Sequence, residues 1–167
     1  MNQNQAYIIG GPNGAGKSTF VEKYLPEYLE IKNFVNADNI ASGLAPFNYQ
    51  SQQIKAGKLI QNLKSDDYEI VVFFLDIESL PLAVSRVKSR VMMGGHDIPL
   101  ETIIRRYSRA RYNFWNTYRP VADKWYLFNN SMDKPNLIAL NESNNTQVYN
   151  SKYFDFFISS IDKESKL

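Results

Sequence analysis

Cysteine is absent from the 167 residues, and histidine occurs once, at His96. The first absence excludes a disulfide framework and a thiolate zinc centre, and the second leaves no imidazole pair for a histidine-built metal site. Charge of one sign is also scarce. Nineteen basic residues against 17 acidic ones leave a net charge of +2, too little to imply a nucleic-acid partner by itself. No apolar run approaches the ~20 residues that cross a bilayer, so no membrane partner is expected. The opening Met-Asn-Gln-Asn-Gln carries neither a basic segment nor an apolar stretch, so no secretory leader is expected and the chain reads as cytoplasmic. What remains is 44% hydrophobic and 22% charged, the composition of an ordinary globular protein, and residues 1–167 read as one domain with a real core.

Glycine is used sparingly, eight times in all, yet three of the eight fall within Gly11–Gly16. The stretch GGPNGAGKSTF places Gly11, Gly16, Lys17 and Ser18 in the pattern G-x-x-x-x-G-K-[ST]. Glycines at this spacing let backbone N–H groups turn inward into an anion nest, and the helix expected to begin near Gly16 aims its positive end at the same place. Lys17 would reach the β- and γ-phosphates of a nucleoside triphosphate, and the Ser18 hydroxyl would sit on Mg²⁺. Gly11, Pro12, Asn13, Gly14, Ala15, Gly16, Lys17, Ser18 and Thr19 are therefore the expected nucleotide contacts. The context agrees. Ala6-Tyr7-Ile8-Ile9 before the loop reads as a buried strand, and Ser18–Leu25 after it is helix-compatible and stops at Pro26.

Five strands are predicted, at Ala6–Gly10, Asn33–Ala37, Glu69–Asp76, Trp125–Asn129 and Leu137–Leu140. Helical patterns fall at about 17–25, 48–64, 81–93 and 100–118, with an amphipathic closing helix over 151–162 that turns Phe154, Phe157 and Ile158 inward. The polar stretch 141–150 reads as a loop or a weak strand. Alternation of this kind predicts an α/β fold: a mostly parallel sheet with helices on both faces, the three-layer sandwich of P-loop NTPases.

Asp38 should emerge at the carboxyl end of the second strand, on the rim of the nucleotide crevice. A carboxylate there can take the proton of an incoming hydroxyl, or it can cap the helix that follows, and spacing alone leaves both open. Arg86 with Arg90, and Arg105 with Arg109, lie four residues apart on two helices separated by Met93-Gly94-Gly95-His96-Asp97-Ile98-Pro99. Helix, flexible turn and helix read as a lid over about 81–118 whose arginines meet charge on a transferring phosphoryl group. A solvated basic face is the alternative for any single arginine. Asp76, ending Val71-Val72-Phe73-Phe74-Leu75-Asp76, has the look of a metal-holding carboxylate at a strand end. Arg105, Arg106, Arg109 and Arg111 with Tyr107, Tyr112 and Trp115 could form a basic-aromatic surface for nucleic acid. Against this, Ile103, Tyr107, Ala110, Phe114 and Tyr118 recur as a core-facing stripe.

In order, GGPNGAGKSTF, FVNADNIASGLAP, QQIKAGKLI, SRVKSRVMMGGHDIPLETIIRRYSRARYNFWNTYRPVADKWYLFNNS and PNLIAL resemble the zeta-toxin-like P-loop kinases. Within them the likeness is to the bacterial branch of predicted ABC-type ATPases and UDP-N-acetylglucosamine kinases, and it runs from about Tyr7 to Leu140. The resemblance implies transfer of the ATP γ-phosphate to the 3′-hydroxyl of the amino sugar in UDP-N-acetylglucosamine, with Mg²⁺. It gives Lys17 and Ser18 the phosphates and metal, Asp38 the role of base, and Arg86 or Arg90 with Arg105 or Arg106 the role of phosphate clamp. It demotes Asp76 as a metal ligand and implies an antitoxin protein as a possible partner. No LSGGQ-like signature is present, which argues against a transporter ATPase.

One departure is plain. After the helix containing AGKLI the resembling proteins carry a strand ending in an acidic-hydroxyl group and a further helix. Here AGKLIQNLKSDDYEIVVFFLD runs straight through, and about 30 residues, the scale of one βαβ unit, are missing near 61–68. That strand would lie between the Walker strand and the Asp38 strand. Its loss would leave ladder groups unpaired in the core, and three accounts stay open: the protein carries the segment although these 167 residues do not, VVFFLD moves inward with Asp76 as metal ligand, or the protein binds nucleotide without efficient transfer.

Overall fold

The structure, a computed structural model, describes residues 4–28, 35–36 and 59–162. Its centre is a six-stranded sheet of order β2-β1-β3-β4-β5-β6. The strands are β1 (Gln5–Gly10), β2 (Val35–Asn36), β3 (Glu69–Asp76), β4 (Lys124–Asn129), β5 (Asn136–Glu142) and β6 (Asn145–Val148). The first four are mutually parallel and the last two run antiparallel, so the expected mostly parallel sheet is present with an antiparallel margin. The tight connections between β4 and β5 and between β5 and β6 account for that margin, because parallel neighbours need a long crossover.

Helices cover both faces. They are α1 (Lys17–Lys23), α2 (Leu25–Tyr28), α3 (residues 59–65), α4 (Leu80–Met92), α5 (Leu100–Asn113) and α6 (Ser151–Asp162). The sequence predicts a helix that stops at Pro26; instead α1 ends at Lys23 and Pro26 lies inside α2. It sits in the first turn of α2, where its missing N–H costs nothing. Of the helix expected over 48–64, only the end falls within the described residues.

β3 shows why the sheet is buried on both sides. Val71, Phe73 and Leu75 enter one core with Ile9, Phe20, Val87, Ile103 and Tyr107. Ile70, Val72 and Phe74 enter the other with Ile60, Phe114, Trp125, Phe157 and Ile161. Alternate side chains of one strand thus feed opposite layers, which is the period-two rule applied to a central strand.

α5 belongs to both layers. Ile103 and Tyr107 pack in the first core, whereas Ala110 and Phe114 pack in the second. The helix therefore passes over the carboxyl-end rim of β3, and it widens into a π-helical turn at Phe114–Tyr118 before the 3₁₀ turn Arg119–Val121. Phe114 stacks on Phe74 at 4.5 Å and 13° where that turn enters the core.

The gap predicted by the missing strand is closed. β1 pairs directly with β2, Ile8 opposite Val35 and Ile9 opposite Asn36. On its other side β1 pairs along its whole length with β3, from Gln5–Glu69 to Gly10–Phe74. Ile8 and Ile9 thus have a neighbour on each edge of the Walker strand, and there the cost of unpaired ladder groups does not arise.

Candidate functional site

The loop between β1 and α1 leaves the sheet at Gly10 and turns with positive φ at Gly11 (146°) and Gly14 (79°). Packing requires glycine at both positions as much as torsion does. A Cβ on Gly11 would stand 2.4 Å from the Leu75 carbonyl oxygen, and one on Gly14 would stand 2.7 Å from the Ala83 carbonyl oxygen. The loop is pressed against the end of β3 on one side and the first turn of α4 on another. A third support comes from far along the chain. Asn130, just past β4, donates from Nδ2 to the Ala15 carbonyl at 2.7 Å. Ala15 N–H closes the turn onto the Pro12 carbonyl at 3.1 Å.

Lys17 is buried at 8% exposure and its Nζ donates to the Gly11 and Pro12 carbonyls at 2.8 and 3.1 Å. The ammonium is thereby folded over the first limb of the loop. Asn13 is also 8% exposed, and Ser18 and Thr19 face solvent at the start of α1. Among the described residues no group of three or more His, Asp or Glu side chains gathers to hold a metal. The donor set for Mg²⁺ there is the Ser18 hydroxyl, which fits an ion that draws most of its ligands from phosphate oxygens and water.

The arginines divide. Arg86 on α4 is half-buried and spans the loop and its support: Nη1 donates to the Asn130 carbonyl at 2.6 Å and lies 3.5 Å from that of Gly14, while Nη2 donates to Ser131 at 2.8 Å. It thus stands beside the Gly11–Gly16 loop, and in this structure its guanidinium fastens carbonyls. Arg90 donates to the His96 carbonyl at 3.0 Å and so braces the turn between α4 and α5. Arg105 and Arg106 are exposed on α5. Asp38 lies outside the described residues.

Asp76, which the resemblance demoted as a metal ligand, is tied up inside the protein. It is fully buried, and both carboxylate oxygens are taken: Arg111 Nε donates to Oδ1 at 2.8 Å and Tyr153 OH donates to Oδ2 at 2.9 Å. Arg111 Nη2 also donates to the Ile77 carbonyl and the Tyr107 hydroxyl, both at 2.7 Å. Burial pushes the Asp76 carboxyl above its ordinary value, while Arg111 and Tyr153 pull it back. Burial is the largest influence on the Arg111 cation and works against it, but the charge and hydrogen bond of Asp76 together with Tyr107 and Tyr153 outweigh it and hold the guanidinium above its usual value. Burial also raises the Tyr107 hydroxyl to about 12 and lifts Tyr153 further. Arg111, counted from sequence toward a basic-aromatic surface, is 5% exposed and Tyr107 9%, so both belong to the interior. Opposite charges at apolar positions of β3 and α5 were the available signal, since Arg111 follows Ile103 and Tyr107 at spacings of four.

No family model matches the chain. A Haemophilus influenzae protein of uncharacterised function is 25% identical over 134 residues, covering 63% of this chain and 94% of that protein. Among solved structures, the AvrRxo1-ORF1:AvrRxo1-ORF2 complex contains a chain matching 93% of this one with a TM-score of 0.65 and 16% identity, in its native form and with ATP. The present chain spans 63% of the length of that chain. A weaker likeness, TM-score 0.49 and 11% identity over 98% of this chain and 87% of that one, is to the PezAT chromosomal toxin–antitoxin system of Streptococcus pneumoniae. The class is thus an α/β fold, a mostly parallel sheet with a P-loop-like first connection. The fold is shared with a protein crystallised with ATP. No described helix is long and apolar enough to cross a membrane.

Proposed function

We propose that this chain is an ATP-dependent phosphotransferase that moves the γ-phosphate to a hydroxyl of a small acceptor. The observation that carries the reading is the loop itself: a Gly11–Ser18 turn of the Walker pattern, braced on three sides, with Lys17 folded into it at the carboxyl end of a parallel strand. A neighbour of the same fold was crystallised with ATP, which supports the same ligand here.

In this reading the loop N–H groups and the Lys17 ammonium hold the phosphates, and Ser18 would be the protein ligand of Mg²⁺. When bound, Mg²⁺ neutralises charge on the β- and γ-oxygens. Asp38 accepts the proton of the acceptor hydroxyl. That oxygen bonds to the γ-phosphorus as the bond to the β,γ-bridging oxygen breaks, and ADP leaves. α4 and α5 form the lid over about 81–118, with Arg90, Arg105 and Arg106 available to meet charge on the phosphoryl oxygens once nucleotide is present. Arg86 contributes by holding the loop. UDP-N-acetylglucosamine is the acceptor proposed, an antitoxin-type protein the proposed partner and the cytoplasm the proposed location, all on the sequence resemblance.

A second reading has an observation in its favour. The one described strand-end carboxylate beside the loop, Asp76, is consumed by Arg111 and Tyr153, which suits a protein that binds nucleotide without efficient transfer. Mass spectrometry of sugar nucleotide incubated with the protein, ATP and Mg²⁺ separates the two. Gain of one phosphate, absent with Lys17→Ala, is the expected result. Tight ATP binding with no phosphorylated product from this or other hydroxyl acceptors would establish the second.

A further inference from the structure

Helices α4 and α5 leave a hollow between them. It is a groove of about 570 Å³, walled by Leu80, Pro81, Val84 and Met92 from α4 and by Leu100 and Ile104 from α5. Its apolar groups are not drawn inside: Met92 is 81% exposed, Leu100 55% and Ile104 44%. Exposed apolar side chains scattered singly are ordinary, but a contiguous set lining a concave surface marks a binding site. One charge enters the lining, that of Lys88, which is exposed on α4.

The charge around the groove says what it receives. α4 carries Arg86, Lys88 and Arg90 with no acid, and α5 carries Arg105, Arg106, Arg109 and Arg111 with Glu101 alone. Seven basic residues against one acid leave this pair of helices at +6, whereas the whole chain is +2 and the residues outside the pair therefore sum to −4. The positive field is thus concentrated on the two helices that hold the groove, and it selects an acidic partner. A trough between two helices has the shape for a third, whose apolar side chains at i, i+4 and i+7 fill it. Methionine at the rim adapts to such a chain.

Other occupants fit less well. A bilayer meets a convex apolar face and not a trough. A nucleic-acid strand finds no aromatic ring in the lining to stack on. A second copy, paired through the same face about a two-fold axis, sets +6 against +6.

We propose that the groove between α4 and α5 docks an acidic amphipathic helix of a protein partner, with apolar side chains in the groove and a carboxylate on Lys88. The inference goes beyond the phosphotransferase reading and stands without it. Ala83 and Arg86 meet the Gly11–Gly16 loop from another side of α4, so the partner bears on the helix that braces the loop rather than on the loop itself.

The test is fluorescence anisotropy with three hydrocarbon-stapled helical peptides. All carry leucine at i, i+4 and i+7, and they differ in having glutamate, glutamine or lysine at the polar positions. Wild type, Lys88→Glu and the double variant Leu100→Ser with Ile104→Ser are compared, with thermal melts confirming that each is folded. The glutamate peptide should bind best and the lysine peptide least, and added salt should bring the glutamate peptide toward the glutamine one. Lys88→Glu should weaken the glutamate peptide by roughly 3–10-fold and leave the glutamine peptide within about twofold. The double serine variant should weaken both by about 10-fold or more. Equal affinity for the glutamate and lysine peptides, or affinity indifferent to the groove substitutions, would overturn the proposal. So would absence of binding to all three. If no peptide binds, and the double serine variant abolishes either sedimentation with phosphatidylserine vesicles or self-association of the wild type, the occupant is a membrane or a second copy instead.

Discussion

Replacing Arg111 by methionine removes the guanidinium and keeps most of the side-chain volume. Asp76 then has 0% exposure, no counter-charge, and the Tyr153 hydroxyl as its remaining side-chain donor. Breaking a buried ion pair from one side costs about 3–5 kcal/mol, because the surviving charge is stranded rather than solvated. For a chain of this size that corresponds to a fall in melting temperature of roughly 6–20 °C. The penalty should depend on pH in a definite direction. With Arg111 gone, burial is opposed by the hydrogen bonds from Tyr153 and the Ile77 backbone alone, and it holds the folded-state value of the Asp76 carboxyl still further above the unfolded one. Such a group favours the folded state below the unfolded carboxylate pKa, and that contribution is lost as pH rises through the folded value. The deficit of Arg111→Met relative to wild type should therefore be smaller near pH 4.5 than at pH 7.5 in urea unfolding. Adding Asp76→Asn should recover part of it at pH 7.5 and abolish the pH dependence. A deficit that is the same at both pH values, or that the second substitution deepens, would refute a charge-based role for the pair.

Gly14→Ala should cost about 1–3 kcal/mol through its positive φ and should raise the Kd for ATP, because the new methyl meets Ala83; equilibrium unfolding and calorimetry read both. Arg86→Ala should lower stability by about 1.5–3 kcal/mol and weaken ATP binding, and lysine should not restore the fork that reaches Asn130 and Ser131 together, as melting and titration would show. Asp38→Asn should retain nucleotide affinity and lose phosphoryl transfer; if it lowers the melting temperature while transfer per folded molecule is intact, Asp38 is a helix cap.

β3 was legible to the residue, because six consecutive apolar positions rich in β-branched and aromatic residues and bounded by acids read as a short strand buried on both faces. The turn at Gly11–Gly16 was equally legible, since its glycine spacing marks the positions that need positive φ and close packing. Strand direction was not: nothing in Asn136–Glu142 says that it runs opposite to its neighbours, and the short turn after β4 decides it. The ion pair was missed for a related reason. Asp76 and Arg111 each read as a surface or site residue when taken alone, and only the crossing of α5 over the end of β3 brings them together. Likewise the Asn129–Ser131 turn carries no motif, and its role as a support of the phosphate loop follows from three-dimensional adjacency.

That support has a consequence for assembly of the site. Asn130 and Ala15 are 115 positions apart, and Arg86 joins the same contact from a third region. The loop is synthesised before the groups that fix its shape, which belong to segments made much later. Contacts of such sequence separation form late, after their chain-closure entropy has been offset by other packing. A nascent or truncated chain ending before β4 would carry the whole phosphate-binding sequence without the site. In the nucleotide-binding reading, binding would therefore report on completion of the sheet, and a ligand that grips only the finished loop would act as a check on the integrity of everything folded after it.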